Sequence, residues 1–229
     1  MAVGCSHGIY ADPKALEAVL KFRKSFKPDM AIHLGDFTDM SPFMGSAGGG
    51  DGDPIQADLD GGVDFLNKYE ANVVLCGNHE ARLWRDRYSG NEIKAYAAEK
   101  AIEEIETTCL KLQALLIPYT GVWQVFKLAN YTFTHGTVYN ENSARDMAEI
   151  YGNVIFAHTH KASQQVGRRI DSPLGISVGT LTKRGAMDYA NTRRSTLAWS
   201  QGFVYGEYTD EKLFPTLHIH DGSSDQWKI

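Results

Sequence analysis

Five of the eight histidines in this chain stand directly after short apolar runs of the kind that form buried strands, each among polar residues or glycine. The stations are Cys5-Ser6-His7-Gly8, Gly77-Asn78-His79-Glu80, Thr134-His135-Gly136 and Ala157-His158-Thr159-His160, with Gly35-Asp36-Phe37-Thr38-Asp39 as a further one of the same form. In open α/β sheets the carboxyl ends of the strands converge on one crevice, so stations spread from Cys5 to His160 can meet there. Histidine and aspartate are ligands of borderline and hard divalent ions. The candidates outnumber what one tetrahedral ion uses, which implies two ions.

The first part of the chain alternates strand and helix. Ala2-Val3 reads as a strand, and Asp12 caps a helix that begins at Pro13, repeats at Leu16, Val19 and Leu20, and stops at Pro28. Met30 to Leu34 and Val73-Val74-Leu75 read as strands, and Glu92 to about Leu112 as a helix with Ile93, Ala97, Ile102 and Ile105 on one side. Between them Ser41 to Gly62, with Gly48-Gly49-Gly50, reads as a long mobile loop placed to act as a lid, although Leu59, Val63 and Leu66 suggest a helix. Its aspartates, Asp51, Asp53, Asp58 and Asp60, miss the spacing of a calcium-binding loop and read as solvated.

The second half is a series of short β-branched or aromatic runs. These are Val122 to Phe126, Tyr131 to Thr134, Val154 to Phe156, Ser163 to Val166, Ile176 to Val178, Phe203 to Tyr208 and Leu213 to Ile219, interrupted by a helix near Ala144 to Tyr151. Strand-helix alternation followed by strand clustering implies a mixed α/β fold with two sheets. With 229 residues, one domain spanning 1–229 is the expectation. The longest charge-free stretch, Leu112 to Phe126, is broken by Gln113, Pro118, Gly121 and Gln124, short of the roughly 18 apolar residues of a membrane span. Three cysteines without a C-x-x-C pair and an N-terminus lacking a secretory pattern point to the cytoplasm. A net charge of −5 gives no global reason to bind nucleic acid, although Lys161 to Arg194 is locally basic.

The order of the stations resembles that of calcineurin-like metallophosphoesterases: Asp-x-His, Gly-Asp-x-x-Asp, Gly-Asn-His-Asp/Glu, a lone His, and Gly-His-x-His. Within that family Asn78-His79-Glu80-Ala81-Arg82-Leu83 and the stretch from His135 through Gly152 resemble compact enzymes of bacteria and their phages. The resemblance implies two mixed β-sheets packed as a sandwich flanked by helices (α-β-β-α). It implies hydrolysis of phosphate monoesters or diesters by a metal-bridging hydroxide. Carried over by residue, it makes Asp36 the carboxylate bridging two ions, with Asn78, His135 and His158 on one ion and His7 and His160 on the other. His79 becomes the general acid, with Glu80 orienting His79 or its loop. Asp39 is read as support for a ligand, a helix cap or a solvated side chain.

Cys5 stands where the family has its first aspartate. As a thiolate ligand it would favour zinc or iron over magnesium. Alternatively it fills space at a strand end and leaves one ion weakly held, or it acts as a redox switch. The implied cofactors are two divalent transition-metal ions, Mn, Zn, Fe or Ni. The implied partner is a phosphate ester, with a nucleotide or nucleic acid among the candidates if Arg184, Arg193 or Arg194 holds an additional phosphate; Arg82 is a further candidate phosphate contact. The alternative is a metal-impaired member of the fold acting as a protein-binding scaffold.

Other features have plainer explanations. Cys76 and Arg82 have the C-x5-R spacing of cysteine-dependent phosphatases, but no histidine precedes Cys76 and the residues between lack a glycine-rich cradle. His33 reads as a core or edge histidine, His218 and His220 as a surface face of the last strand, and Trp84 as packing.

Overall fold

Strands only two or three residues long cannot hold a sheet by pairing alone; what fixes Ala2–Val3, Ile32–His33, Val73–Leu75 and Val154–Phe156 is that both faces of each are buried. The computed structural model describes residues 1–45, 54–187, 190, 197–220 and 227. Its elements, in chain order, are β1 (Ala2–Val3), α1 (Pro13–Phe26), β2 (Ile32–His33), α2 (Ile55–Tyr69), β3 (Val73–Leu75), α3 (Ala81–Asp86), α4 (Glu92–Leu112) and β4 (Leu115–Ile117). There follow β5 (Phe126–Leu128), β6 (Tyr131–Thr134), α5 (Ser143–Tyr151), β7 (Val154–Phe156), β8 (Ala162–Val166), β9 (Leu174–Val178), β10 (Gly202–Tyr208) and β11 (Leu213–Ile219).

One sheet has the order β11-β10-β1-β2-β3-β4 and the other β5-β6-β7-β9-β8. Parallel pairing runs through β1, β2, β3 and β4 in the first and through β6, β7 and β9 in the second, with antiparallel strands at the flanks. Successive side chains of a strand face opposite ways. Ala2, Ile32, Val73 and Leu75 thus meet Tyr131, Phe133, Ile155 and Ile176 between the sheets. Val3 and Val74 turn the other way, onto a layer built from Val19, Phe65, Leu66, Leu83, Ile102 and Ile105. On the far side Val154 and Phe156 pack on Ala144, Met147 and Ala148 of α5. The layers are helix, sheet, sheet, helix, as the sequence implied.

The cap at Asp12 forms as expected, its carboxylate accepting from the Lys14 amide at 3.0 Å. Several expectations need correction. The segment read as loop to Gly62 is helical from Ile55, because Leu59, Phe65 and Leu66 bury one face of α2. Asp58 sits on this helix and is buried rather than solvated. The Gly48-Gly49-Gly50 run, Asp51, Asp53 and the proposed lid around them lie outside the described residues, as do Arg193 and Arg194. The expected strand at Val122 to Phe126 is instead a 3-10 turn at Gly121–Trp123. It enters through Gly121 at φ 62° and leaves Trp123 83 % exposed, and strand pairing begins only at Phe126.

The buried face of α4 is Ala98, Ala101, Ile102, Ile105 and Cys109; Ile93, in its first turn, is 83 % exposed. His33 is a core residue, its Nδ1 accepting the Gly35 amide and its Nε2 at 3.3 Å from Ser6 Oγ, and burial pushes its pKa down to about 3. His218 and His220 are half-buried and stack on Trp227 rather than forming an open surface face. Trp84 packs against the helical layer. No helix among the described residues is long and apolar enough to cross a membrane.

The corrected face of α4 is testable by denaturant unfolding. Ile105→Ala opens a cavity in the helical layer and is expected to cost about 2–4 kcal/mol. Ile93→Ala, at an exposed site, is expected to change stability by less than about 0.5 kcal/mol.

Candidate metal centre

The turns that leave the strands hold their polar side chains in an unusual backbone state. Cys5 (φ 52°), His7 (54°), Asp36 (52°), His158 (67°) and His160 (57°) all lie in the left-handed region. That region costs an L-residue about 1–2 kcal/mol and is stable only where surrounding contacts over-determine it. Those contacts are visible. The first turn is bonded to the second through Cys5 N to Gly35 O (2.9 Å), His7 N to Asp36 O (3.0 Å) and Gly8 N to Phe37 O (2.9 Å). Glycine at 35, itself at φ 96°, is required because a Cβ there would meet Gly77 N at 2.6 Å and His135 Nδ1 at 2.7 Å.

Glu80 is fully buried and its carboxylate accepts from the amides of Asp36 (2.9 Å), Thr38 (2.9 Å) and Gly77 (2.6 Å) and from Thr38 Oγ1 (2.9 Å). It therefore binds the Asp36 turn to the Gly77 turn. The hydrogen bonds of Glu80 are to the loops, whereas Asp39 lies against the His79 ring, its carbonyl 2.6 Å and its Oδ1 3.2 Å from His79 Nδ1. Asp39 Oδ1 also stands 3.0 Å from His7 Nδ1. Asp39 is buried, which leaves its support role and removes the solvated one. Asp58 in turn accepts from the amides of Ile9, Asp39 and Met40, fixing the turns that carry His7 and Asp39.

Among the described residues the donor atoms gather in three groups, two of which share Asp36, while the third is His7, Asp39 and His79. Sγ of Cys5, one nitrogen each of His7 and His160 and a carboxylate oxygen of Asp36 all lie within 4.8 Å of one another, and so do the donors of Asp36, His135 and His158. Within the first group His7 Nε2 and His160 Nε2 face each other at 3.0 Å, with Asp36 Oδ2 3.8 Å from His7 Nε2. In the second, Asp36 Oδ2 lies 3.2 Å from His135 Nε2, and Asn78 Oδ1 lies 3.1 Å from His135 Nε2 and 2.9 Å from His158 Nδ1.

His135 Nδ1 is 2.7 Å from the Leu34 carbonyl, which fixes the proton there and leaves the Nε2 lone pair facing Asp36. The Asp39 carboxylate does the same for His7. His160 Nδ1 is buried with no hydrogen-bond partner among the described residues. A buried imidazole uncommitted to any carbonyl, beside soft and hard anionic donors, fits a divalent ion.

Electrostatics follow from this crowding. Burial works to raise the Asp36 pKa, but the imidazoles of His135, His79 and His7 outweigh it and hold the carboxyl well below its usual range. Burial works against the charged forms of His79 and His135, yet Asp36 in both cases, with Asp39 at His79, carries their pKa values upward. His158 is pushed down to about 4 by burial and by His135. Burial, then the Asp36 charge, lifts the Cys5 thiol well above its ordinary value, while the His158 amide donates to Sγ at 3.3 Å. Cys76 is buried with its thiol raised by desolvation, the opposite of what a cysteine nucleophile needs.

A cleft of about 230 Å³ opens over these groups and includes Asp36, Asn78, His79, Arg82, His158 and His160. Arg82 donates to Asp39 O at 2.8 Å from within it. Arg184 is not brought there: it is exposed and donates to Leu197 O at 3.0 Å. Three residues of the site carried no signal in the sequence. Gln124 is buried between the sheets, donating to Cys76 O and accepting from the His135 amide; Trp199 packs edge-on to His160 at 4.2 Å; Tyr139 packs edge-on to His158 at 5.8 Å.

A profile of the calcineurin-like phosphoesterases matches residues 1–162. The chain belongs to the calcineurin-like phosphoesterase family. It is a hydrolase of phosphate-ester bonds, and the groups just described are its candidate metal ligands. No curated protein matches the sequence. Among solved structures it is similar to an archaeal phosphodiesterase (16 % identity, 94 % of this chain and 97 % of that one, TM-score 0.43). It is also similar to zinc-complexed Vps29 from Entamoeba histolytica (17 %, 71 % and 83 %, 0.35) and to the phosphoesterase Yfce from E. coli (15 %, 94 % and 97 %, 0.40).

If Glu80 fastens the two turns as described, Glu80→Ala leaves three buried amides without acceptors. Unfolding free energy of the metal-free protein is then expected to fall by about 3 kcal/mol or more. A fall below about 1 kcal/mol in denaturant titration would show that the turns hold themselves.

Proposed function

We propose that this phosphoesterase works with two divalent ions that share the Asp36 carboxylate, and that His79 protonates the departing alkoxide. The observation that carries the proposal is the membership of Asp36 in two donor groups, one with Cys5, His7 and His160 and the other with His135, His158 and the Asn78 amide oxygen. When bound, such a pair of ions polarises phosphoryl oxygens and makes a water acidic enough to attack phosphorus near neutral pH.

The side chains supply the rest. His79 stands at 3.9 Å from Asp36 Oδ2 through Nε2, and its Nδ1 is held by Asp39. Its ring is thereby fixed with Nε2 toward the cleft, and the two carboxylates favour the protonated ring that an acid must be. On cleavage the Nε2 proton passes to the ester oxygen as the P–O bond breaks, so that an alcohol leaves instead of an alkoxide. Arg82 lines the same cleft and offers a guanidinium to the phosphate.

Cys5 is taken as a ligand in place of the family's aspartate. Its sulfur shares one compact group with His7 and His160; burial and the Asp36 charge oppose ionisation of the thiol, so the thiolate would form with the ion that binds it, and the His158 amide directed at Sγ is placed to donate to it. A thiolate with two imidazoles prefers zinc, iron or cobalt to magnesium. Phosphate monoesters and diesters are both candidate substrates.

The test is metal analysis beside hydrolysis of p-nitrophenyl phosphate and bis-p-nitrophenyl phosphate, after loading with Mn, Zn, Fe, Ni or Co. Two ions per chain are expected. His79→Ala should keep both and lose roughly 10²–10⁴ in turnover. Cys5→Ala should bind one ion fewer, and the cobalt-loaded native chain should show a sulfur-to-cobalt charge-transfer band that this variant lacks. Fewer than two ions, with no turnover under any metal, would favour the scaffold alternative.

A further inference from the structure

We infer that the hollow beside the metal cleft receives a flat aromatic group on the organic arm of the phosphate ester, and that Tyr139 is the residue selecting it. The inference rests on the phosphoester reading of the site. The cleft over the donor groups measures about 230 Å³, below the roughly 300–1,000 Å³ of sites that enclose a whole organic ligand. It suits a phosphoryl group and leaves the rest of the ester unaccommodated.

A second hollow of about 450 Å³ adjoins it. Tyr139 lines both, and Thr159, between His158 and His160, lines the second. An ester whose phosphorus lies over the donors can therefore extend past Tyr139 without leaving the protein surface.

The lining specifies the chemistry. Tyr139 is 47 % exposed and Leu197 73 % exposed, so an aromatic ring and an aliphatic side chain present apolar area that a ligand can cover. The Tyr139 ring is held edge-on to His158, with centroids 5.8 Å apart, which ties its position to a candidate ligand of the metal site. Lys161 and Glu141 bring opposite charges to the same hollow, so it carries no net preference for an ionic arm. A ring with a π-face and a polar edge, as in a nucleobase or a substituted phenyl, satisfies both parts of this lining, and an aromatic stack gains over an alkyl group of equal area.

Phosphonates test this without turnover, because their C–P bond resists hydrolysis. Binding of inorganic phosphate, methylphosphonate, cyclohexylmethylphosphonate and benzylphosphonate to the metal-loaded chain is measured by calorimetry, for the native protein, Tyr139→Ala and Tyr139→Phe, with metal content checked for each. Benzylphosphonate is expected to bind about tenfold tighter than methylphosphonate and about threefold tighter than the cyclohexyl compound. Tyr139→Ala should erase this preference and Tyr139→Phe should keep it. Equal binding of the benzyl and methyl compounds, equal binding of the benzyl and cyclohexyl compounds, or a preference that survives Tyr139→Ala overturns the inference. A metal-loaded chain that binds no inorganic phosphate overturns the phosphoester site itself, a result distinct from loss of the arm preference.

Discussion

The buried carboxylate of Glu80 is the point on which the rest of the site depends. A charge removed from water must be compensated, and Glu80 is compensated almost wholly by backbone donors: the amides of Asp36, Thr38 and Gly77, with the Thr38 hydroxyl. Each of these donors belongs to a turn that has just left a strand. Satisfying one anion therefore positions two turns relative to each other and holds Asp36 at a backbone angle it would not adopt alone. The absence of side chains at Gly35 and Gly77 lets these turns come close enough for that to happen.

A second line of anions performs the same task for the imidazoles. Asp58, on α2, accepts the amides of Asp39 and Met40; Asp39 then spans His7 and His79. One carboxylate thus orients two rings. His7 is turned with Nε2 toward His160, and His79 with Nε2 toward the cleft, so a ligand and a proton donor are set by the same support. Asp36 lies between them and is kept ionised by the histidines around it.

Much of this was legible in the sequence because the site is built at strand ends. The runs Val73-Val74-Leu75 and Val154 to Phe156 match β3 and β7, and the polar residues after them, Asn78, His158 and His160, lie among the gathered donor atoms. The parts that were not legible depend on distant packing. Asp58 sits in a stretch whose glycines and acids look solvated, and only the docking of α2 shows that it is an acceptor for buried amides. Gln124 lies in a stretch that looked like a strand, yet its side chain bridges the two sheets. Ile93 fits the periodicity of α4 but precedes the part of the helix that has something to pack on. Trp199 and Tyr139 have no local signature, since their role comes from being opposite His160 and His158. Arg184 shows the converse failure, a basic residue near the site in sequence that spends its guanidinium on the Leu197 carbonyl.

Whether two ions share Asp36 is decided by anomalous diffraction from crystals grown with zinc or manganese. A shared Asp36 carboxylate gives two anomalous peaks per chain, roughly 3.5–4 Å apart. Each should lie within bonding distance of an Asp36 oxygen, one beside Cys5, His7 and His160 and the other beside Asn78, His135 and His158. A single peak, or two peaks of which only one touches Asp36, would contradict it.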